Sequence, residues 1–140
     1  MDTKIYVVGG RAVDYSFLSS IEMLDAKTRF WEKISEGLFT PRMRSCLFMN
    51  PKSASLIIAG GLSAFDNKLS DIYSFDTVSR VVNKLKDAPI KFKAGAIGGG
   101  LMQAFATKDC VYLQTIITDK NKIHLVCFNA KMLTFRVLNI

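Results

Sequence analysis

The sequence predicts an all-β protein made of repeated antiparallel sheets, and three observations carry that expectation. Short segments rich in β-branched and aromatic residues cover most of the 140 residues, punctuated by Gly, Pro, Asp, Asn and Ser. No stretch sustains an apolar period of 3.6 over ten residues, so helix signals are almost absent. Whole blocks also recur. Ile5-Tyr6-Val7-Val8-Gly9-Gly10 returns as Leu56-Ile57-Ile58-Ala59-Gly60-Gly61, an offset of 51 residues from Gly10 to Gly61.

Taken in order, the first element is the apolar run Ile5–Val8, closed by the doublet Gly9-Gly10. Next comes Ser20–Trp31, SIEMLDAKTRFW, which reads as a hairpin. Its first strand, Ile21–Leu24, ends at Asp25, whose short side chain can hydrogen-bond the turn backbone; its second strand carries Trp31. Pro41-Arg42 leads into a strand at Cys46–Met49, Leu56–Ala59 ends at Gly60-Gly61, and Asp71–Val82, DIYSFDTVSRVV, repeats the hairpin. Pro89, 48 residues after Pro41, opens the corresponding connection into an expected strand at Ala94–Gly98. Val111–Ile117 follows, and His124–Phe135, HLVCFNAKMLTF, is a third hairpin. In register the hairpins align Ile21, Ile72 and Leu125, then Leu24, Phe75 and Phe128, then Asp25, Asp76 and Asn129. The bulky positions Trp31, Val82 and Phe135 lie seven residues beyond the second set. Period-2 facing puts the large groups on one side. A strand pair cannot bury that side alone, so similar units must stack. Trp31, Phe75 and Phe128 are therefore expected to be largely buried between units.

Four strands over about 50 residues is the length of one blade in a radial β-sheet array. The doublets Gly9-Gly10 and Gly60-Gly61, the pairs Leu24-Asp25 and Phe75-Asp76, Trp31, and the Pro41-Arg42 segment together resemble kelch repeats. Two units depart from the pattern: the third has Val111-Tyr112-Leu113-Gln114-Thr115 where a doublet would stand, and in the second Val82 replaces the bulky Trp. The resemblance implies about three four-stranded kelch-like blades, a partial or half propeller, spanning 1–140 as a single unit. The blades fall at about 1–40, lacking its innermost strand, 41–88 and 89–140. With known propellers using about 4–8 blades, the remaining blades would come from a longer chain or a second subunit.

Composition bounds the class. A 49% hydrophobic chain of this size is one domain that hides about 70% of its unfolded surface. The longest charge-free stretch, Ala94–Thr107, is shorter than the about 18 apolar residues of a membrane span and contains four glycines. Met1-Asp2-Thr3-Lys4 is followed by only four apolar residues, so no signal peptide reads there and a cytoplasmic location without membrane attachment is expected. Cys46, Cys110 and Cys127 show no C-x-x-C spacing and are expected as reduced thiols, Cys46 and Cys127 in the core. The net charge of +7 is spread along the chain without a run of five like charges.

Chemistry is sparse. His124 is the single histidine and the cysteines are scattered, so neither a metal site nor a Cys–His pair is expected. No G-x-S-x-G occurs. Gly95–Gly100 lacks the helix and terminal Lys-Ser or Lys-Thr of a phosphate loop. The expectation is no enzyme, no cofactor and no metal. The loops Arg11–Ser19 and Leu62–Ser70 are more informative, because both follow a doublet and mix aromatics with acids: Tyr15, Phe17 and Phe65, with Asp14 and Asp66. In kelch-like propellers such loops gather on one face and bind proteins, so Tyr15, Phe17, Phe65 and Asp66 are candidate protein-binding residues. The alternative is that the loops pack inward through Leu18 and Leu69 with solvated tips. Gly9, Gly10, Asp25, Trp31, Gly60, Gly61, Phe75, Asp76 and Phe128 are expected as structural repeat positions. The first functional reading is a non-catalytic protein-interaction module, a scaffold or a ubiquitin-ligase substrate-receptor segment, the latter a common role of the family. Two rivals stand beside it: a piece of a propeller enzyme whose catalytic groups lie elsewhere, and a basic subunit of an RNA- or filament-containing assembly. Nucleic acid is the less favoured partner.

Overall fold

A computed structural model describes residues 3–88, 104–117 and 122–138. They form three antiparallel sheets. The first contains β1 (Lys4–Val8), β2 (Ile21–Asp25) and β3 (Phe30–Ser35) in chain order. The second runs β4 (Cys46–Met49), β5 (Ser55–Ala59), β6 (Ile72–Asp76) and β7 (Val82–Lys84). The third runs β8 (Ala104–Ala106), β9 (Cys110–Ile117), β10 (Lys122–Asn129) and β11 (Thr134–Leu138). The helical element among the described residues is one short 3₁₀ turn, Ala64–Asp66. The expected strand at Ala94–Gly98 lies outside the described residues; the strand that completes the third sheet is Ala104–Ala106.

Each hairpin turns by the same chemistry. Asp25 Oδ1 accepts the N–H groups of Lys27 and Thr28, Asp76 Oδ1 those of Val78 and Ser79, and Asn129 Oδ1 those of Lys131 and Met132. In each case the same residue's carbonyl accepts the N–H four positions on, from Arg29, Arg80 and Leu133. Those three adopt left-handed backbone, at φ 59°, 62° and 54°. A short side-chain acceptor that satisfies two turn donors offsets the cost of the left-handed residue that follows.

Two apolar cores lie between the sheets. Between the first and second are Val8, Ile21, Phe39, Leu56, Ile58, Tyr73 and Phe75, flanked by Tyr6, Ile34, Leu47 and Val82. The second core brings together Cys46, Phe48, Ile57, Ala59, Ile72, Val111, Val126, Phe128 and Phe135. Alternation along β5 explains the division: Leu56 and Ile58 point to one core, Ile57 and Ala59 to the other. A strand covered on both faces reads as a continuous apolar run.

The expectation that Trp31 is buried is corrected here. Phe75 and Phe128 are fully enclosed, but Trp31 is 51% exposed. The register supplies the reason. Trp31 pairs with Leu24, which pairs with Ile5, so the three share one face of the first sheet. The second sheet covers the opposite face, where Tyr6 and Val8 point. Val82 and Phe135, the matching positions, lie against the sheet that precedes theirs. No sheet among the described residues precedes the first.

Candidate functional site

The two loops after the glycine doublets have one construction. Leu18 N–H donates to Gly10 O and Leu69 N–H to Gly61 O, each at 3.0 Å. Inside these closures, Ala12 N–H donates to Ser16 O and Ser63 N–H to Asn67 O, each at 2.9 Å. Every pair repeats at the sequence offset of 51 residues, as Gly10 to Gly61 does. Both loops join the same pair of strands in adjacent sheets, β1 to β2 and β5 to β6, and so emerge at the same end of the array.

Their tips are unusual for aromatic residues. Tyr15 and Phe65 hold left-handed backbone, at φ 68° and 61°. Bulky side chains disfavour that region, and the local hydrogen bonds hold them there. Tyr15 is 72% exposed and Phe65 wholly so; Val13 beside Tyr15 is also wholly exposed. The Arg11 guanidinium sits 4.9 Å from the Tyr15 ring centroid, which steadies the ring by cation–π attraction. Asp14 Oδ1 accepts the Ser16 hydroxyl at 2.6 Å and its N–H at 3.0 Å, and these bonds, the hydroxyl first, hold the Asp14 carboxyl below its ordinary value. Phe17 is half-buried, its backbone bridged to Arg11 at the loop base, so it does not join the tips. Asp66 ends the 3₁₀ turn; its side chain lies outside the described atoms. Leu18 and Leu69 are both half-buried and the tips Tyr15 and Phe65 are exposed, an arrangement that the inward-packing alternative and the protein-binding reading share.

The loop bases are tied together by Arg42, a residue whose weight was not evident in the sequence. The chain crosses from the first sheet to the second here, with Arg42 N–H donating to Leu18 O and Arg42 O accepting from Gly10 N–H. Gly9, at φ 62°, leaves room for the crossing, since a Cβ would collide with the Arg42 carbonyl oxygen. The fully buried guanidinium donates through Nη1 to Asp71 Oδ1 at 2.7 Å and Gly60 O at 2.9 Å. Nη2 donates to Asp71 Oδ2 at 2.8 Å and Nε to Thr40 O at 2.9 Å. The rings of Phe39 and Tyr73 lie 5.5 and 5.2 Å from it. A bidentate carboxylate and two carbonyls give the buried charge the partners it needs. The available signal was the pairing of Pro41-Arg42 with an acid, Asp71, at the position held by Ser20 and His124 in the other hairpins.

A groove of about 410 Å³ lies at the opposite end, between β1 and β4. Lys4, Tyr6, Leu47, Phe48, Met49, Leu56 and Thr77 line it. It opens beside the edge of β1, which pairs on one side only, with β2. Among the described residues no three His, Cys, Asp or Glu side chains are grouped to hold a metal ion. No helix among them is long and apolar enough to cross a membrane.

Comparison with known proteins agrees with this architecture. The Kelch motif family profile matches residues 1–37, the segment from β1 through β3. An F-box/kelch-repeat protein of Arabidopsis thaliana is 41% identical over 73 residues, covering 50% of this chain and 19% of that protein. The match thus spans less than a fifth of that relative's length. The chain is thus similar to kelch-repeat proteins, through the motif match in its first sheet and the related sequence over half of its length.

Proposed function

We infer that the chain is a non-catalytic protein-interaction module whose binding face is built from the loops Arg11–Ser19 and Leu62–Ser70. The observation that carries this reading is the placement of Tyr15 and Phe65 at the tips of two equivalent loops, exposed and held in left-handed backbone. Rigid aromatic groups lose little conformational entropy on binding and make effective anchors. Kelch repeats generally serve protein–protein interaction, which supports the same reading. The finer role is that of a scaffold or substrate-receptor segment acting in the cytoplasm, and the F-box in the name of the Arabidopsis thaliana relative favours the receptor.

The chain acts as a partial propeller with blades at about 1–40, 41–88 and 89–140. The exposed face of Ile5, Val7, Leu24 and Trp31 and the open edge of β1 are where further blades attach, from a longer chain or a second subunit. The test is capture of partners from cells by the full-length wild-type protein and by a Tyr15→Ala/Phe65→Ala variant, each quantified by mass spectrometry. The expected result is one set of proteins retained by the wild type and depleted at least tenfold by the variant, with unchanged melting temperature. Equal recovery by both would remove the loops from the binding face.

A further inference from the structure

The third sheet carries a feature apart from the doublet loops. Its two faces differ sharply. Val111, Val126, Phe128 and Phe135 point to the second sheet and are buried there. On the other face the register sets Tyr112 opposite Cys127 and Cys127 opposite Arg136, a row across β9, β10 and β11. Cys110 lies opposite Asn129, diagonal to Cys127 on that same face. Cys110 and Arg136 are the side chains that act on the Cys127 thiol, and both cysteines act on Tyr112. Cys110 is half-buried and Cys127 buried, and both are free thiols.

Cys46 is the internal contrast. It sits fully buried in the core on the far side of the third sheet, and desolvation drives its thiol well above the ordinary value. It has no access to the other two. Of the three cysteines, Cys110 and Cys127 alone are therefore neighbours on one face of a sheet.

We propose that Cys110 and Cys127 form a dithiol site that reacts with small-molecule disulfides of the glutathione class and closes to a cross-strand disulfide between β9 and β10. The reaction runs in two exchanges. The half-buried Cys110 sulfur, as thiolate, attacks one sulfur of the external disulfide and expels one small thiolate. Cys127 sulfur then attacks the Cys110 sulfur of the mixed disulfide and expels the second. Two protein thiols are oxidised, one external disulfide is reduced to two thiols, and the two protein thiol protons end on those products. Burial, then the Cys110 neighbour, holds the Cys127 thiol above its ordinary value, and Arg136 works against both. The guanidinium thus favours the thiolate at the step where Cys127 must attack.

The location suits closure. A disulfide requires sulfurs about 2.05 Å apart and Cα atoms within about 6.8 Å, closer than a typical diagonal pair. Cys110 is the first residue of β9, at the end of the ladder. Its N–H and carbonyl are held by the Thr107 turn, at 3.1 Å to Oγ1 and 2.8 Å from the Thr107 N–H. A strand end beside a turn yields more readily than a strand centre, which lets the diagonal pair draw together.

The experiment equilibrates the full chain in a series of oxidised and reduced glutathione buffers, quenches with acid, alkylates, and maps disulfides by mass spectrometry. The expected product is one intramolecular bond, Cys110–Cys127, formed at the expense of two thiols, while Cys46 remains alkylatable after denaturation. Cys127→Ser should instead accumulate a single glutathione adduct on Cys110, because the resolving thiol is gone. Cys46→Ala should leave the Cys110–Cys127 bond unchanged. Should Cys127→Ser fail to fold, Cys110→Ser supplies the same control through loss of the intramolecular bond. Three free thiols throughout the series, a bond that includes Cys46, or bonds only between chains would overturn the proposal.

Discussion

The first and second sheets are built from the same sequence pattern and end in opposite situations. Ile5, Val7, Leu24 and Trp31 lie 51 residues before Leu56, Ile58, Phe75 and Val82, and each set forms one face of its sheet. The second set closes the core against the first sheet, with Leu56, Ile58 and Phe75 buried. In the first set Ile5 is 53% and Val7 44% exposed, beside the half-open Trp31. A repeat therefore specifies only half of each core, and the neighbour supplies the rest. The first sheet therefore carries an apolar face of the kind that, one repeat later, forms half of a core.

The junction between these two sheets should show the largest effect. Arg42 is the buried cation that links the doublet loop of the first sheet to Gly60 and Asp71 of the second. Arg42→Ala strands the Asp71 carboxylate, and Asp71→Ala strands the guanidinium. Either is expected to cost about 3–5 kcal/mol, measured by chemical denaturation. Arg42→Lys should recover little, because an ammonium cannot make the bidentate pair while also reaching two carbonyls. A loss below about 1 kcal/mol for Arg42→Ala would mean that the sheets are held by apolar contact alone.

The next prediction compares the matched faces directly. Phe75→Ala removes a fully enclosed ring and should cost about 3–5 kcal/mol. Trp31→Ala removes a half-exposed ring and should cost less than about 1.5 kcal/mol in the isolated chain. The gap measures how much a covering sheet contributes at this repeat position. If Trp31→Ala in a longer protein or an assembly costs as much as Phe75→Ala, the outward face of the first sheet is covered there. Equal cost in the isolated chain, with light scattering showing a dimer, would identify a second copy as the cover.

The comparison also marks how far the sequence was legible. Strand positions and repeat equivalence were readable because period-2 facing and the 51-residue offset are local, additive signals. They place Trp31 on the correct face of its strand. Its exposure was not readable, because a pattern of side chains does not contain the sheet that would pack on it. The Arg42–Asp71 pair was hidden for a related reason: the partners are 29 residues apart and meet only after two sheets stack. The strand expected at Ala94–Gly98 lies outside the described residues; among those described, the strand that pairs with the outer edge of β9 is β8, Ala104–Ala106. At the loops, composition pointed to Tyr15 and Phe65 as candidate anchors. Their left-handed backbone was not foreseeable, since aromatic residues disfavour it and only the loop closures impose it.

The smallest expected effect separates the first two hairpins from the third. Asp25 and Asp76 accept two turn N–H groups each, and those bonds hold both carboxyls below their ordinary value. In Asp25 the Lys27 N–H contributes most, in Asp76 the Ser79 N–H. A carboxyl lowered in the folded state contributes stability that is fully present above its unfolded pKa of about 3.9. That contribution is lost as pH falls through the lowered folded value. Asn129 makes the same two bonds and does not titrate. The first two hairpin turns should therefore loosen in acid below about pH 4 while the third holds. Both carboxyls are open to solvent, so the shift is modest and is best read locally, by hydrogen exchange at Lys27, Thr28, Val78 and Ser79 against Lys131 and Met132. Asp25→Asn and Asp76→Asn keep an acceptor oxygen and should flatten the acid response of their own turns. A uniform acid response at all three turns, unaltered in these variants, would show that the carboxylates do not set it and that the equivalence of the hairpins is geometric only.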